Sequence, residues 1–305
     1  MGKNLVKIIK KFTERYLQLV NHPLVIYPLN GLMKYIYINL KMRIYHKPII
    51  VKWLNNLKYH LSLRDYGGII GNYYFYIDEF EDSIFLIHYL TDLDIFVDVG
   101  SNHGHYTMIS SGICGSKTLS IEPVKETFNK LKMNIELNEL DNVTMYNIGI
   151  SDSEGDLLFT NDKGPLNMVT NQTSGRNIER VKVTTLDNLL YEDYNVSVLK
   201  IDVERFEKQV LVGSSNLLKN QTLNVIIIEL YYLIGEEEIL SILNENGFSP
   251  YKYIYPDNEL VPLEKKNYNS FNTIFIRNID LVKNRINQKL ITINKNNVRI
   301  KRFSN

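Results

Sequence analysis

From residue 94 onward the chain alternates short apolar runs with stretches of helical spacing, and this rhythm constrains the fold more than any single motif. The apolar runs are "IFVDV" (95–99), "KTLSIE" (117–122), "NVTMYNI" (142–148), "VSVLKID" (196–202) and "NVIIIEL" (224–230). They lack the in-out alternation of a half-exposed strand, so they suit strands covered on both faces. Helices are expected near 105–113, 125–138, 205–213 and 235–246. Parallel neighbours can be joined only by a crossover, so strands that alternate with helices imply an α/β parallel sheet with helices on both faces. "SDSEGDLLFTN" reads as a turn with an extra strand, and "FNTIFIR" (271–277) is expected to close the sheet. The polar loop 161–180 is expected to be mobile.

Upstream, residues 3–20 place Leu5, Ile8, Ile9, Phe12, Tyr16, Leu19 and Val20 at helical spacing, with Lys3, Lys7, Lys10, Lys11 and Arg15 opposite. Such a helix either lies on an anionic membrane as a peripheral contact or packs on its own domain or a partner. A second amphipathic stretch follows near 31–44, and 48–77 reads as β-rich, with a "GG" turn at 67–68. "FEDSIFLIHYL" (80–90) reads as a helix. The expected organisation is a helical and β-hairpin region over 1–78, the main domain over 79–277 and a basic tail over 278–305 that frays.

Composition excludes some functions. Net charge is +1, which gives no electrostatic case for nucleic acid. Cys114 is the single cysteine, so no internal disulfide can form, and a reducing, cytoplasmic setting is expected. No apolar run approaches the ~18 residues of a spanning helix.

The first chemical motif is "DIFVDVGSNHGHYT", Asp94 to Thr107. A strand ends at Asp98, Gly100 suits a tight turn near a ligand, and Gly104 lets the following helix start pack closely. A dinucleotide-binding turn needs glycine where this chain has Asn102 and His105, which argues against a nicotinamide oxidoreductase. A carboxylate at 98 repels phosphate and suits an ammonium or hydroxyls. Glu122 ends the second strand 24 positions later, placed to accept both hydroxyls of a ribose. A cofactor with a ribose, an amino-acid moiety and no phosphate is S-adenosylmethionine.

The second motif is "LKIDVERFE" (199–207), where Asp202, Glu204 and Glu207 crowd the end of an apolar strand. Stranded charges there are costly unless the strand end borders a cleft. Ligands of parallel α/β sheets bind at the carboxyl ends of strands, so a cleft is expected. Asp202 is the first candidate for a catalytic or substrate-orienting carboxylate, followed by Glu204 and Glu207. His105, beside His103, is a further candidate base. Two alternatives stay open. Asp202 with Glu229 could hold a divalent cation such as Mg²⁺, or the acids could cap the helix near 205.

The stretches "FVDVGSNHGHYT", "IEPVKETFNKLKMNIELN", "NIGISDSEGDLLF", "VKVTTLDNLL" and "LKIDVERFEKQVLVGSSNLL" together resemble the FkbM family of methyltransferases, over roughly residues 21–277. The resemblance implies a Rossmann-like class I methyltransferase fold. It also implies S-adenosyl-L-methionine as donor and a hydroxyl acceptor on a saccharide or other small molecule. By the same resemblance Asp98, Gly100 and Asn102 belong to the cofactor motif, Glu122 is the ribose acid, and Gly149 lines the adenine slot. One departure stands out. The family pattern K-x-D-V-E-G-F-E has glycine where this chain has Arg205. Arg205 is placed to pair with Glu204 or Glu207 and lower their pKa. It also motivates the alternative of a weakly active or inactive cofactor-binding module that acts through partner or membrane contacts.

Overall fold

The computed structural model describes residues 2–45, 47–62, 68–161, 166–170, 177–190, 195–230, 235–294 and 299–304. Residues 1–80 with 291–302 form one unit, and residues 81–290 with 303–305 form another.

In the first unit, helix α1 (Gly2–Asn21) is followed by α2 (Pro28–Tyr45), whose opening proline has the backbone angle a first turn needs. Strands β1 (Ile49–Lys52) and β2 (Lys58–Leu61) pair antiparallel, and α3 (Gly68–Phe75) follows. Leu19, Tyr35, Tyr74 and Phe75 form the unit's core. The Arg15 guanidinium lies 5.0 to 5.4 Å from the ring centres of Tyr74, Tyr35 and Phe75. The expectation of β structure across 48–77 holds only for the hairpin. Residues 68–75 are helical instead, with Ile69, Gly71, Asn72, Tyr74 and Phe75 buried, so that most of the helix surface is covered.

The second unit runs α4 (Phe80–Tyr89), β3 (Ile95–Val99), α5 (His105–Thr107), β4 (Lys117–Ile121), α6 (Lys125–Leu137) and β5 (Val143–Tyr146). After α5 the chain continues as a wider π-type turn over Met108–Ile113. Next come β6 (Gly149–Ile150), β7 (Gly155–Thr160), β8 (Ile178–Thr184), α7 (Leu186–Leu189), β9 (Val196–Ile201), α8 (Glu207–Val212), α9 (Ser215–Lys219) and β10 (Val225–Glu229). The rest is α10 (Glu236–Glu245), β11 (Ser249–Ile254), β12 (Glu259–Pro262), β13 (Asn272–Ile276) and α11 (Ile279–Asn287). β14 (Lys289–Asn294) and β15 (Arg299–Ser304) fall mostly within residues 291–302, which belong to the first unit.

The main sheet has the order β12-β11-β13-β10-β9-β3-β4-β5. β5, β4, β3, β9 and β10 are mutually parallel, and β13 is inserted antiparallel between β10 and β11. This is the Rossmann-like class I methyltransferase sheet. From β3 the chain winds outward to β5 and then returns to β9 on β3's other side, so the order reverses between β3 and β9. That reversal is where such sheets open a crevice. Val97, Leu119, Leu199 and Ile226 are fully buried in the middle of the sheet, which is why these strands read as mainly apolar runs. β7, β8 and β6 form a small second sheet.

The tail departs from expectation. Instead of fraying at 278, the chain forms α11, where Asn278 Oδ1 accepts the Leu281 N–H at 3.0 Å and Val282 and Ile286 are fully buried. Arg285 forks onto both oxygens of Asp94 at 3.0 and 2.7 Å. β14 and β15 then pair with each other. Of loop 161–180, residues 162–165 and 171–176 lie outside the described residues, and Ile178 to Arg180 belong to β8 rather than to a loop. Among the described residues, no helix is long and apolar enough to cross a membrane.

At the end of β13, the Arg277 guanidinium donates to the carbonyls of Asn220, Leu223, Asn246 and Leu218 and stacks 4.3 Å from the Phe248 ring. Arg277→Met keeps the aliphatic stem but strips those carbonyls of their donors. It is expected to cost about 2–4 kcal/mol, read as a lower urea midpoint with an unchanged slope.

Candidate functional site at the strand ends

The carboxyl ends of β3, β9 and β10 lie side by side, and each carries an ionisable residue. Asp98 pairs across the sheet with Lys200, and Asp202 follows β9 directly. Alternation along β9 sends Lys200 and Asp202 to the same side. Lys200 is fully buried, its Nζ 3.3 Å from Asp202 Oδ2 and 5.1 Å from the centre of the Tyr106 ring. Asp202 keeps 35% of its side chain exposed, so the pair is closed on the protein side and open at the cleft. Oxygens of Asp202, Glu204 and Glu229 lie within 4.8 Å of one another.

Such a cluster cannot be fully ionised. Burial alone would push Asp202 up, but Lys200 and a hydrogen bond from Glu229 outweigh it and hold the carboxyl below its usual range. Burial and the charge on Asp202 push Glu229 up to about 9. At neutral pH the pair is therefore an ionised Asp202 that accepts a proton bond from a neutral Glu229. Burial, with Asp202 and Glu207 nearby, lifts Glu204 to about 7. Three converging oxygens are a donor set that a hard divalent cation could use. Lys200 already supplies a positive charge to that cluster.

The turn leaving β9 is strained. Glu204 and Arg205 have φ of 51° and 74°, a left-handed conformation that costs a side-chain-bearing residue roughly 1–2 kcal/mol. Glu207, only 2% exposed, helps to hold it, because Oε1 accepts the Arg205 N–H at 3.1 Å. Glu207 thus serves the turn at the start of α8, while its Oε2 is buried without a hydrogen-bond partner. Arg205 pulls Glu204 and Glu207 down as expected, through its charge and its backbone N–H respectively, but that pull is outweighed. Burial dominates and raises both, and the Arg205 side chain is exposed. His105 is buried, with Nε2 2.9 Å from Ser83 Oγ, an interior pairing with α4.

The turn after β3 is built by close contacts within the protein. Gly100 has φ 82°, and a Cβ there would lie 1.8 Å from the Asp202 carbonyl oxygen. The backbone that approaches Gly100 is therefore that of Asp202. Gly104, at φ 92°, is pressed against Leu131, where a Cβ would be 2.8 Å from Cδ1. Gly149 is pressed against Val183, 2.9 Å from Cγ1 by the same measure. Asp98 is 1% exposed and accepts the Thr107 hydroxyl at 2.7 Å, so its carboxylate faces the last residue of α5. Burial and the Asp202 charge set Asp98 near 6, against the pull of Thr107 and Lys200. Glu122 accepts the Asn102 N–H on Oε2 and the Val124 N–H on Oε1, both at 3.0 Å. Burial lifts it to about 8.

These residues fit S-adenosylmethionine. Ser101 Oγ and Asn102 Oδ1 are buried at the turn without a hydrogen-bond partner, an unusual condition that a polar ligand would relieve. The surrounding acceptors suit hydroxyl and ammonium donors and disfavour phosphate. Lys200 is the residue missed from sequence, although its spacing two before Asp202 on a strand marks it. Asn272 has no such signal. Its side-chain amide donates to Asp82 Oδ2 at 3.1 Å and to Tyr106 Oη at 3.2 Å, across 190 and 166 positions.

Comparison with known proteins gives three findings. Residues 98–250, half of the chain, match the methyltransferase FkbM domain family. A hexuronic acid methyltransferase, AglP, of Haloferax volcanii is 30% identical over 158 residues, covering 51% of this chain and 64% of that relative. Among solved structures, an FkbM methyltransferase from Methylobacillus flagellatus aligns at 15% identity, TM-score 0.41, over 61% of this chain and 44% of that one. A SAM-dependent O-methyltransferase of Thermotoga maritima aligns at 16% identity, TM-score 0.39, over 76% and 79%.

The raised acids make stability fall with pH. Between 4.5 and about 9 the folded chain keeps the Glu229 proton that the unfolded chain has released, so folding is disfavoured progressively over that window. Glu229→Gln mimics the protonated form. It is expected to be more stable than the parent at pH 8 and equal to it near pH 4, by urea unfolding at each pH. Equal differences at both pH values would mean that Glu229 does not carry the proton.

Proposed function

The chain belongs to the FkbM methyltransferase domain family, and from that premise we propose that it is an S-adenosylmethionine-dependent O-methyltransferase acting on a saccharide hydroxyl. The chief support is the charge pattern at the strand ends: an ionised, partly open Asp202 between a buried ammonium and a protonated carboxyl. A hydroxyl is a weak acid and a poor nucleophile, so its proton needs a placed acceptor. Asp202 accepts it, and a positioned base typically contributes ~10²–10⁴-fold. Lys200 keeps Asp202 ionised before the acceptor arrives, and the Glu229 proton fixes which oxygens remain open. Glu204 faces the same cluster and orients neighbouring hydroxyls.

When bound, S-adenosylmethionine supplies an electrophilic methyl on a sulfonium, a good leaving group, so the protein's main task is alignment. Glu122, Ser101 and Asn102 would hold it, with Asp98 shaping the turn through Thr107 and Gly149 closing the wall beside β8. The saccharide acceptor draws support from the curated relative, which is named for hexuronic acid. Hexuronate-containing saccharides are the first acceptors to test. Family membership and the intact charge pattern favour an active enzyme over a silent cofactor-binding module. The single cysteine suits a cytoplasmic setting.

The test is transfer of label from methyl-labelled S-adenosylmethionine to a panel of hexuronate and neutral saccharides. Asp202→Asn is expected to lower kcat by at least ~10²-fold while donor binding is kept. Full activity of Asp202→Asn on a true acceptor would remove Asp202 from this role.

A further inference from the structure

Charge is unevenly divided along the chain. Residues 1–64 contain twelve Lys and Arg and one acid, Glu14, although the whole chain is only +1. Helix α2 contains no acid at all and carries Lys34, Lys41 and Arg43.

The same helix is apolar on two opposite faces. Gly31, Tyr35, Ile38 and Met42 are buried, and they face the interior of the first unit. The outward side holds Leu29 (65% exposed), Met33 (64%), Tyr37 (53%), Leu40 (53%) and Ile44 (71%). Their spacing of four, four, three and four keeps them on one face, a stripe about 22 Å long at 1.5 Å per residue. A helix on a solvated surface carries polar residues there. Contiguous exposed apolar faces mark interaction sites. The helix ends are also informative, because Tyr27 and Tyr45 are 65% and 63% exposed. Lys41 lies 5.4 Å from the Tyr37 ring, at the margin of the stripe. Val6, Ile9 and Leu17 of α1 are exposed as well, among Lys10 and Lys11.

Two occupants are conceivable for such a face, and charge separates them. A second copy would bring an equally basic segment against this one. An anionic lipid surface supplies the opposite charge, takes apolar side chains between its headgroups and accommodates tyrosines at the interface. We propose that α2 lies flat on an anionic membrane, with the stripe from Leu29 to Ile44 at the headgroup–acyl boundary and Lys10, Lys11, Lys41 and Arg43 on the headgroups. The contact expected from residues 3–20 then becomes one part of a larger surface whose apolar component is α2. This inference is independent of the methyl-transfer reading.

The test is co-sedimentation of the full chain with vesicles of phosphatidylcholine mixed with phosphatidylglycerol, and with phosphatidylcholine alone. Binding to the mixed vesicles alone is expected, weakening steeply as salt is raised. The quadruple variant Leu29→Ser, Met33→Ser, Leu40→Ser and Ile44→Ser is expected to bind ~100-fold more weakly. The triple variant Lys11→Gln, Lys41→Gln and Arg43→Gln should lose a similar factor, at about fivefold per charge. Unfolding midpoints close to the parent's would show that both variants fold. No binding to the mixed vesicles at low salt, salt-independent binding, or binding unchanged in both variants would overturn the proposal. So would light scattering that shows a dimer converted to a monomer by the serine variant, since the stripe would then be a contact between copies.

Discussion

The site depends on how closely the turn after β3 meets the exit of β9. The two strands run parallel in register, Asp98 opposite Lys200, and the Asp202 N–H donates to the Val99 carbonyl at 3.0 Å. One residue on, Gly100 passes so near the Asp202 carbonyl oxygen that no side chain fits. The N–H groups of Gly100 and Ser101 both reach back to the Ile121 carbonyl at 3.0 Å, which ties in the end of β4. Three strand ends are thereby locked at one edge. The ionisable residues that terminate them have no freedom to separate.

That crowding dictates the charge state. One buried ammonium, Lys200, sits beside several acids, and it can neutralise only one of them fully. Asp202 is the one it touches, so Asp202 is ionised and the proton stays on Glu229. A polar cluster of this kind would be a poor way to stabilise a core. It leaves one ionised carboxylate next to a hydrogen-bond donor, at the place where a parallel sheet opens. The strained turn at Glu204 and Arg205, clasped by Glu207, is consistent with a chain that gives up local stability to shape this edge.

The parallel strands β3, β4, β9 and β10 were legible because they are mostly buried on both faces and so read as mainly apolar runs, whereas β5 is only partly buried. The acids at 202, 204 and 229 were legible because they end such runs. Lys200 was visible in principle, since strand alternation places it with Asp202. The inward turn of Asp98 was not, because it depends on Thr107, nine residues on, in a helix whose orientation spacing does not reveal. Nor was the link of Asn272 to Asp82 and Tyr106, which exists only once the antiparallel β13 is laid beside β10. The tail looked weak because α11 buries only Val282 and Ile286, a two-point pattern that spacing alone cannot separate from chance. The second face of α2 was hidden for the opposite reason: with apolar residues on both sides, its pattern does not say which side is covered.

The most direct measurement is a calorimetric titration of the purified protein with S-adenosylmethionine and, separately, with NAD. The account predicts micromolar binding of S-adenosylmethionine and none of NAD, because the turn offers acceptors to a ribose and an ammonium and lacks the glycines that cradle a pyrophosphate. Binding of NAD alone, or of neither, would contradict it: the orphaned oxygens at Ser101 and Asn102 would then serve some other ligand, and the strand-end acids some other chemistry.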